Sequence, residues 1–349
     1  WDPEAGVVGR AAAHYDLIAG LPAGHKEQHP NTWLDALQSC LRQLAADGVD
    51  LGAVRGIGVS GQQHGAVVLD KNDEAIRPAK LWCDTSTQVE CDAIVAAAGG
   101  LDAYQAEIGN TLPAGFTASK LLWLRRHEPE NYERVRAVLL PHDWLNFELT
   151  GRKTAEPGDA SGTGYFRVRE RTWSEAALGW IDPDRDLLSL LPTLIHSHEV
   201  AGTLRPALAR AWNMRPDVVV SSGSGDNMMA ALGAGCAAPG RVVMSLGTSG
   251  TVFACSRSPA VDPTGDIAAY CDATDHWLPL GCTMSVTVAT EMMRSAFLPG
   301  ADHATYDAAV ESVAPGADGL ILIPYLEGER LPEVPEGTGV LVGLRPATA

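Results

Sequence analysis

The chain contains an apolar run, Asp217-Val-Val-Val220, followed directly by a glycine-rich turn, Ser221-Ser-Gly-Ser-Gly225, and a helix-compatible stretch, Asp226-Asn-Met-Met-Ala-Ala-Leu232. A strand feeding a helix through so short a turn is the building unit of an α/β fold. The rest of the chain repeats the alternation more loosely, with no low-complexity segment and no short-period repeat. Thr32 to Asp47 reads as a helix, with Trp33, Leu37, Leu41 and Leu44 on one face and a stop at Gly48. Gly56 to Ser60 reads as a buried strand and Ala66 to Leu69 as its hairpin partner, joined by the polar tip Gly61-Gln62-Gln63-His64-Gly65. The middle of the chain, with helices over Thr117 to His127 and His142 to Thr150 and a strand over Ala137 to Leu140, reads as scaffold with little chemistry.

At 349 residues there is enough chain for two cores, and the Pro/Gly-rich stretch Gly235 to Gly240 marks the crossing between them. Beyond it, Val242 to Leu246 and Thr251 to Ala254 read as strands joined by Gly247-Thr248-Ser249-Gly250, with further strands at Gly319 to Pro324 and Val340 to Leu344. The 26 basic against 43 acidic residues give a formal charge of −17, which repels phosphate backbones and anionic bilayers, and no basic run offsets it. Nucleic acid and membrane are therefore not expected as partners. The seven cysteines are scattered, without a C-x-x-C pair, and read as reduced thiols of a cytoplasmic protein. No apolar stretch approaches the roughly 18 residues of a membrane span, and the opening at Trp1 suggests a longer gene product. A homodimer is the expected assembly, as the commonest one for soluble enzymes.

Four segments could carry chemistry. Asp226 stands at a helix start after a glycine turn, where orphan N–H groups favour the ionised carboxylate; it serves there either as a base or metal partner or as a helix cap. Gly247-Thr248-Ser249-Gly250 has the composition of an anion-cradling hairpin, and equally of a plain turn. The Gln62-Gln63-His64 tip can donate to and accept from the hydroxyls of a polyol, or simply be solvated. Trp82-Cys83-Asp84 offers an indole beside a carboxylate, as a sugar platform or as core. His196-Ser-His198-Glu199 lacks a third metal ligand by spacing and reads as a surface loop. Neither a P-loop nor a Rossmann glycine motif is present.

Taken in order, Ser60-Gly61-Gln62-Gln63-His64-Gly65, Leu81-Trp82-Cys83-Asp84, Gly109-Asn110 with Gly115-Phe116-Thr117 and Lys120, Ser224-Gly225-Asp226-Asn227, Ser245 to Gly250, and Leu326-Glu327-Gly328-Glu329-Arg330 make the sequence resemble the FGGY carbohydrate kinases. The Gly-Gln-Gln-His-Gly tip is similar to the branch that phosphorylates D-xylulose. The resemblance implies a two-domain actin-like ATPase (ribonuclease H-like) α/β fold, with sugar and Mg2+-ATP meeting in the cleft between the domains. Residues 1–237 would form the N-terminal sugar-binding domain, lacking its first strand, and residues 238–349 a partial C-terminal nucleotide-binding domain. By the same resemblance Asp226 is the general base and a Mg2+ ligand; Gln63, His64, Asn227, Trp82 and Asp84 hold the sugar; and Gly247, Thr248, Ser249 and Gly250 lie on the ATP phosphates.

The family's Asp-x-Gly-Thr strand and its adenine-side Gly-Gly element are not found, so this stretch alone is expected not to turn over. Ser222 and Ser224 stand where the family usually has glycine; both are small and are expected to be tolerated, with an effect on how closely a phosphate approaches. A kinase for another ketose or polyol, and a non-catalytic actin-like sensor of sugar or nucleotide, are the alternative readings of the same residues.

Overall fold

The computed structural model describes residues 1–326, 328, 329, 334 and 336–345. The helix Pro30–Ala46 starts on a proline, whose missing N–H costs nothing in the first turn, and its chain reversal follows at Gly48, which takes a left-handed φ of 89°. Trp33 is the buried residue of its apolar face and meets Trp144 edge-on with ring centroids 5.8 Å apart. Both pack with Val67, Leu69, Leu81, Leu139 and Phe147 in one cluster. The helices Thr117–His127 and Pro141–Thr150 and the strand Ala137–Leu139 lie where the periodicity puts them.

The strand pairing differs from the sequence expectation. The strands Gly56–Ile57 and Ser60–Gly61 do not form a hairpin with Val67–Leu69. They run parallel to Val219–Ser221 and Ser224–Gly225, with Gly56 opposite Val219 and Ser60 opposite Ser224. Val67–Leu69 instead runs antiparallel to Ala137–Leu139. Nor is the first strand buried throughout: Gly56, Gly58 and Ser60 face outward, while Val59 and Gly61 face in. Period-two alternation over a small-residue segment leaves one face open.

The parallel pairing fixes the site. Val59, Val218 and Val220 pack with Leu149 and Leu204 beneath it, each side chain contributing about 1.5–3 kcal/mol through burial. On that floor the loop Ser221–Gly225 is carried to within reach of the Gln63-His64 tip. Beyond the helix Asp226–Gly233, two left-handed glycines, Gly235 and Gly240, bracket an irregular crossing. A four-stranded antiparallel sheet follows, ordered Val242–Leu246, Gly250–Ala254, Trp277–Thr283, Ala268–Cys271. A separate hairpin joins Ile321–Ile323 to Val340–Val342.

The sheet's last strand is held from the first half of the chain. Ala269 lies opposite Pro279, which has no N–H to offer, and its own N–H and C=O face the other way. There Asn110 acts as a substitute strand: its Oδ1 accepts from Ala269 N and its Nδ2 donates to Ala269 O, each at 2.6 Å. Ser161 Oγ accepts from Cys271 N at 2.9 Å on the same edge.

Candidate active site

Asp226 occupies the first position of its helix, with Gly225 at the cap position, so its carboxylate does not cap the helix. One oxygen accepts from the Asn227 N–H at 2.9 Å and weakly from Asn227 Nδ2 at 3.4 Å. Partial desolvation raises Asp226 above the ordinary aspartate range despite those backbone donors, as a proton acceptor requires.

Asn227 Nδ2 also donates to Gln63 Oε1 at 2.9 Å, bringing the tip and the helix start together across 164 residues. Gly225 makes this approach possible, because a Cβ there would stand 2.7 Å from Gln63 Cγ and 3.0 Å from Asp159 Oδ1. Gln63 Nε2 is buried and finds no hydrogen-bond partner among the described residues.

His64 sits beside it in the left-handed region, at φ 63°. Its Nδ1 lies 2.8 Å from the Gly162 carbonyl; since a carbonyl only accepts, Nδ1 is the donor of that bond. The ring stacks on Phe116 at 4.5 Å. A side chain at Gly162 would leave no room, its Cβ falling 2.2 Å from Nδ1.

Behind this front lies a buried polar support that the sequence reading took for plain scaffold. His142 is fully buried, with Nδ1 2.8 Å from Asp159 Oδ2 and Nε2 2.8 Å from the Ser222 carbonyl. Burial alone would lower its pKa, but Asp143 and Asp159 outweigh that and hold it at about 10. Asn146 Nδ2 donates to the same Ser222 carbonyl at 2.6 Å. Glu156, also fully buried, accepts from Ser224 Oγ at 2.5 Å, Asp159 N at 2.7 Å and Ser197 Oγ at 3.0 Å. Ser222 Oγ donates backward to the Ser197 carbonyl at 2.5 Å. Both serines that replace glycines therefore point their hydroxyls into the support and away from the open face. The signal for this layer was the Glu156-Pro-Gly-Asp159-Ala-Ser-Gly162 turn, whose two carboxylates have no apolar periodicity to announce them.

The other predicted residues are distributed unevenly. Trp82 is half exposed, and its carbonyl lies against Gly115, where a Cβ would sit only 2.4 Å away. Asp84 is fully buried, with Oδ2 accepting from Lys26 N and Lys80 Nζ and Oδ1 from Ser86 N and Oγ. The structure does not bring Asp84 to the Gln63, His64 and Asp226 group by any hydrogen bond among the described residues, and its acceptor positions serve the buried Lys80. Gly247, Thr248 and Ser249 form an exposed hairpin loop and Gly250 is buried at its end. The carbonyls of Gly247 and Thr248 accept from Thr287 N and Val286 N, at 3.0 and 2.9 Å, and Thr248 and Ser249 are exposed residues. In the last motif, Glu329 accepts from Met284 N at 2.7 Å and Thr283 Oγ1 at 2.5 Å; Glu327 and Arg330 lie outside the described residues.

His196 and His198 are exposed and both face Asp275, at 3.7 and 2.5 Å. Two further clusters hold metal-ligating side-chain types, Cys255 with Asp272 and His276, and His25 with Glu27 and Asp84. In each the carboxylates already have structural work, Asp272 closing the hairpin turn through Thr274 N and His276 N, and Asp84 and Glu27 neutralising Lys80. No disulfide forms among the seven cysteines, and among the described residues no helix is long and apolar enough to cross a membrane.

The chain is similar to known proteins in sequence and in fold. Residues 1–233 match the N-terminal domain of the FGGY family of carbohydrate kinases. The chain is 38% identical to the xylulose kinase of Haemophilus influenzae, over 97% of this chain and 69% of that protein. It is 41% identical to the xylulose kinase of Streptomyces rubiginosus, over 97% of this chain and 66% of that protein. Among solved structures, a xyloylose kinase from Brucella ovis superposes with a TM-score of 0.87 at 34% identity, over 95% of this chain and 67% of that one. The chain thus spans about two thirds of the length of these relatives.

Proposed function

The chain belongs to the FGGY family of carbohydrate kinases and has its actin-like α/β fold; from that premise we propose that it phosphorylates D-xylulose at the C5 hydroxyl, using ATP and giving D-xylulose 5-phosphate and ADP. The observation that carries the reading is Asp226: a carboxylate with raised proton affinity at a helix start, joined through Asn227 to the Gln63-His64 tip. The named activity of the curated relatives supports the choice of sugar. Residues 1–237 make the sugar-binding half and residues 238–349 contribute to the nucleotide side, and the thiol-only cysteines fit work in the cytoplasm.

Phosphoryl transfer asks little covalent chemistry of the protein, so positioning, charge and one base suffice. Asp226 takes the proton from the attacking hydroxyl as its oxygen bonds to the γ-phosphorus of ATP and the bond from that phosphorus to the leaving oxygen of ADP breaks. Asn227 and Gln63 fix the carboxylate's side of the sugar, and His64, its ring set by the bond from Nδ1 to the Gly162 carbonyl, contacts a sugar hydroxyl. Trp82 offers an apolar flank. Gly247, Thr248, Ser249 and Gly250 fit phosphate oxygens through small residues and the hydroxyls of the exposed Thr248 and Ser249. Asp226 fits Mg2+, a cation that takes oxygen ligands, through its carboxylate. Mg2+ bound with ATP supplies positive charge against the transferring phosphoryl oxygens.

The test is ADP release by the complete gene product with D-xylulose, D-ribulose, L-ribulose, glycerol and gluconate, with Asp226→Asn alongside. Preference for D-xylulose, lost in the variant, is expected. A different preferred sugar overturns the substrate, and full activity in the variant overturns the mechanism.

A further inference from the structure

Lys120 lies on the helix Thr117–His127, is 2% exposed, and has no function in the reaction described above. A long cationic side chain is buried at high cost, and burial lowers this one to about 7. Its Nζ donates to two backbone carbonyls, those of His64, at 2.6 Å, and of Gly115. Thr117 Oγ1 donates to the same His64 carbonyl at 3.2 Å.

Those carbonyls belong to two unusual places in the backbone. His64 is a non-glycine residue in the left-handed region, where its Cβ crowds the following carbonyl. Gly115 has φ 107°, open only to glycine, and lies against the Trp82 carbonyl. The next residue, Phe116, is the ring on which His64 stacks. One ammonium group therefore ties together the tip that carries the imidazole and the loop that carries its stacking partner.

We infer that Lys120 is a positioning residue for the sugar site: by holding the His64 and Gly115 carbonyls it keeps His64 in its left-handed conformation and aims the imidazole at the sugar. The inference rests on the reading of His64 as a sugar contact. Without the lysine, His64 relaxes toward ordinary backbone geometry, and its ring leaves both Phe116 and the Gly162 carbonyl. The loss appears as weaker sugar binding and travels only through His64.

A double-mutant cycle tests this, with D-xylulose binding to the whole chain followed by calorimetry and folding checked by circular dichroism. Lys120→Met should weaken binding by about 10- to 100-fold, the range expected for loss of charge-assisted hydrogen bonds. In a His64→Ala background the same substitution should change affinity less than about two-fold, because coupled residues are not additive. Equal effects in both backgrounds, or wild-type affinity in Lys120→Met, overturn the inference. Wild-type affinity in His64→Ala overturns instead the sugar-contact reading beneath it. Should Lys120→Met fail to fold, Thr117→Val removes the second donor to the same carbonyl. It is expected to weaken binding several-fold only when His64 is present, and an effect that persists in His64→Ala refutes the inference equally.

Discussion

Replacing Asn110 with alanine should loosen one strand of the four-stranded sheet from a distance of 159 residues in sequence. Asn110 satisfies both backbone groups of Ala269, a residue only 1% exposed whose strand neighbour is Pro279. Truncation leaves a buried N–H and a buried C=O without partners, and each such group costs about 1–3 kcal/mol. Allowing for partial relaxation and water entry, about 3 kcal/mol of local stability should be lost. At 1.4 kcal/mol per factor of ten, that is roughly hundred-fold faster opening of the strand Ala268–Cys271. Hydrogen exchange by mass spectrometry resolves this, with peptides over Ala268–Cys271 compared against Val242–Leu246 in the same digest. Asn110→Asp is the control: it keeps an acceptor for the Ala269 N–H but sets a carboxylate oxygen against the Ala269 carbonyl, so it too should accelerate exchange. Exchange in Asn110→Ala within about three-fold of wild type would show that the sheet alone holds the strand, and would refute the reasoning.

Other expectations follow from the site. Asp226→Asn should lower turnover by about 10²- to 10⁴-fold, the usual contribution of a general base, with sugar affinity by calorimetry nearly unchanged. Gly162→Ala should weaken sugar binding at least ten-fold, since its Cβ would fall 2.2 Å from His64 Nδ1; unchanged affinity would mean that the imidazole is not needed in its place. Ser224→Ala removes a 2.5 Å bond to the buried Glu156 and should cost about 1.5–3 kcal/mol in urea denaturation. Lys120 titrates at about 7 when folded and at its ordinary value near 10.5 when unfolded, so the unfolded chain binds more protons in between. The stability of wild type relative to Lys120→Met should therefore rise between pH 7 and 10.5, by at most roughly 1.4 kcal/mol per pH unit, and be flat below pH 7.

Local elements of this fold were legible because local rules make them. The Pro30–Ala46 helix carries its apolar stripe and its glycine stop in sequence, and the Val242–Leu246 and Gly250–Ala254 hairpin carries its turn residues. The Gly56–Gly61 pairing was not legible, since a parallel partner some 160 residues away leaves no trace in nearby periodicity, whereas Val67–Leu69 stands close by and invites a hairpin. At the site, Asp226, Asn227, Gln63 and His64 stood out as polar residues at turns, where exposure is expected. His142, Glu156 and Asp159 did not, because a carboxylate or imidazole inside a fold has the same letter as one in solvent. Asp84 shows the same limit: beside Trp82 it reads as a ligand group, and its letter does not reveal the buried ion pair with Lys80, four residues earlier.

The two borders of the four-stranded sheet are unlike. Along Ala268–Cys271 the outward amides and carbonyl are already taken by Asn110 and Ser161, as a zip is crimped at one end. Along Val242–Leu246 nothing among the described residues pairs the outer side, and Val242, Met244 and Leu246 are 64%, 63% and 61% exposed. The sheet is thus a one-way template. Among the described residues, the border with backbone groups open to a further strand is Val242–Leu246, not Ala268–Cys271.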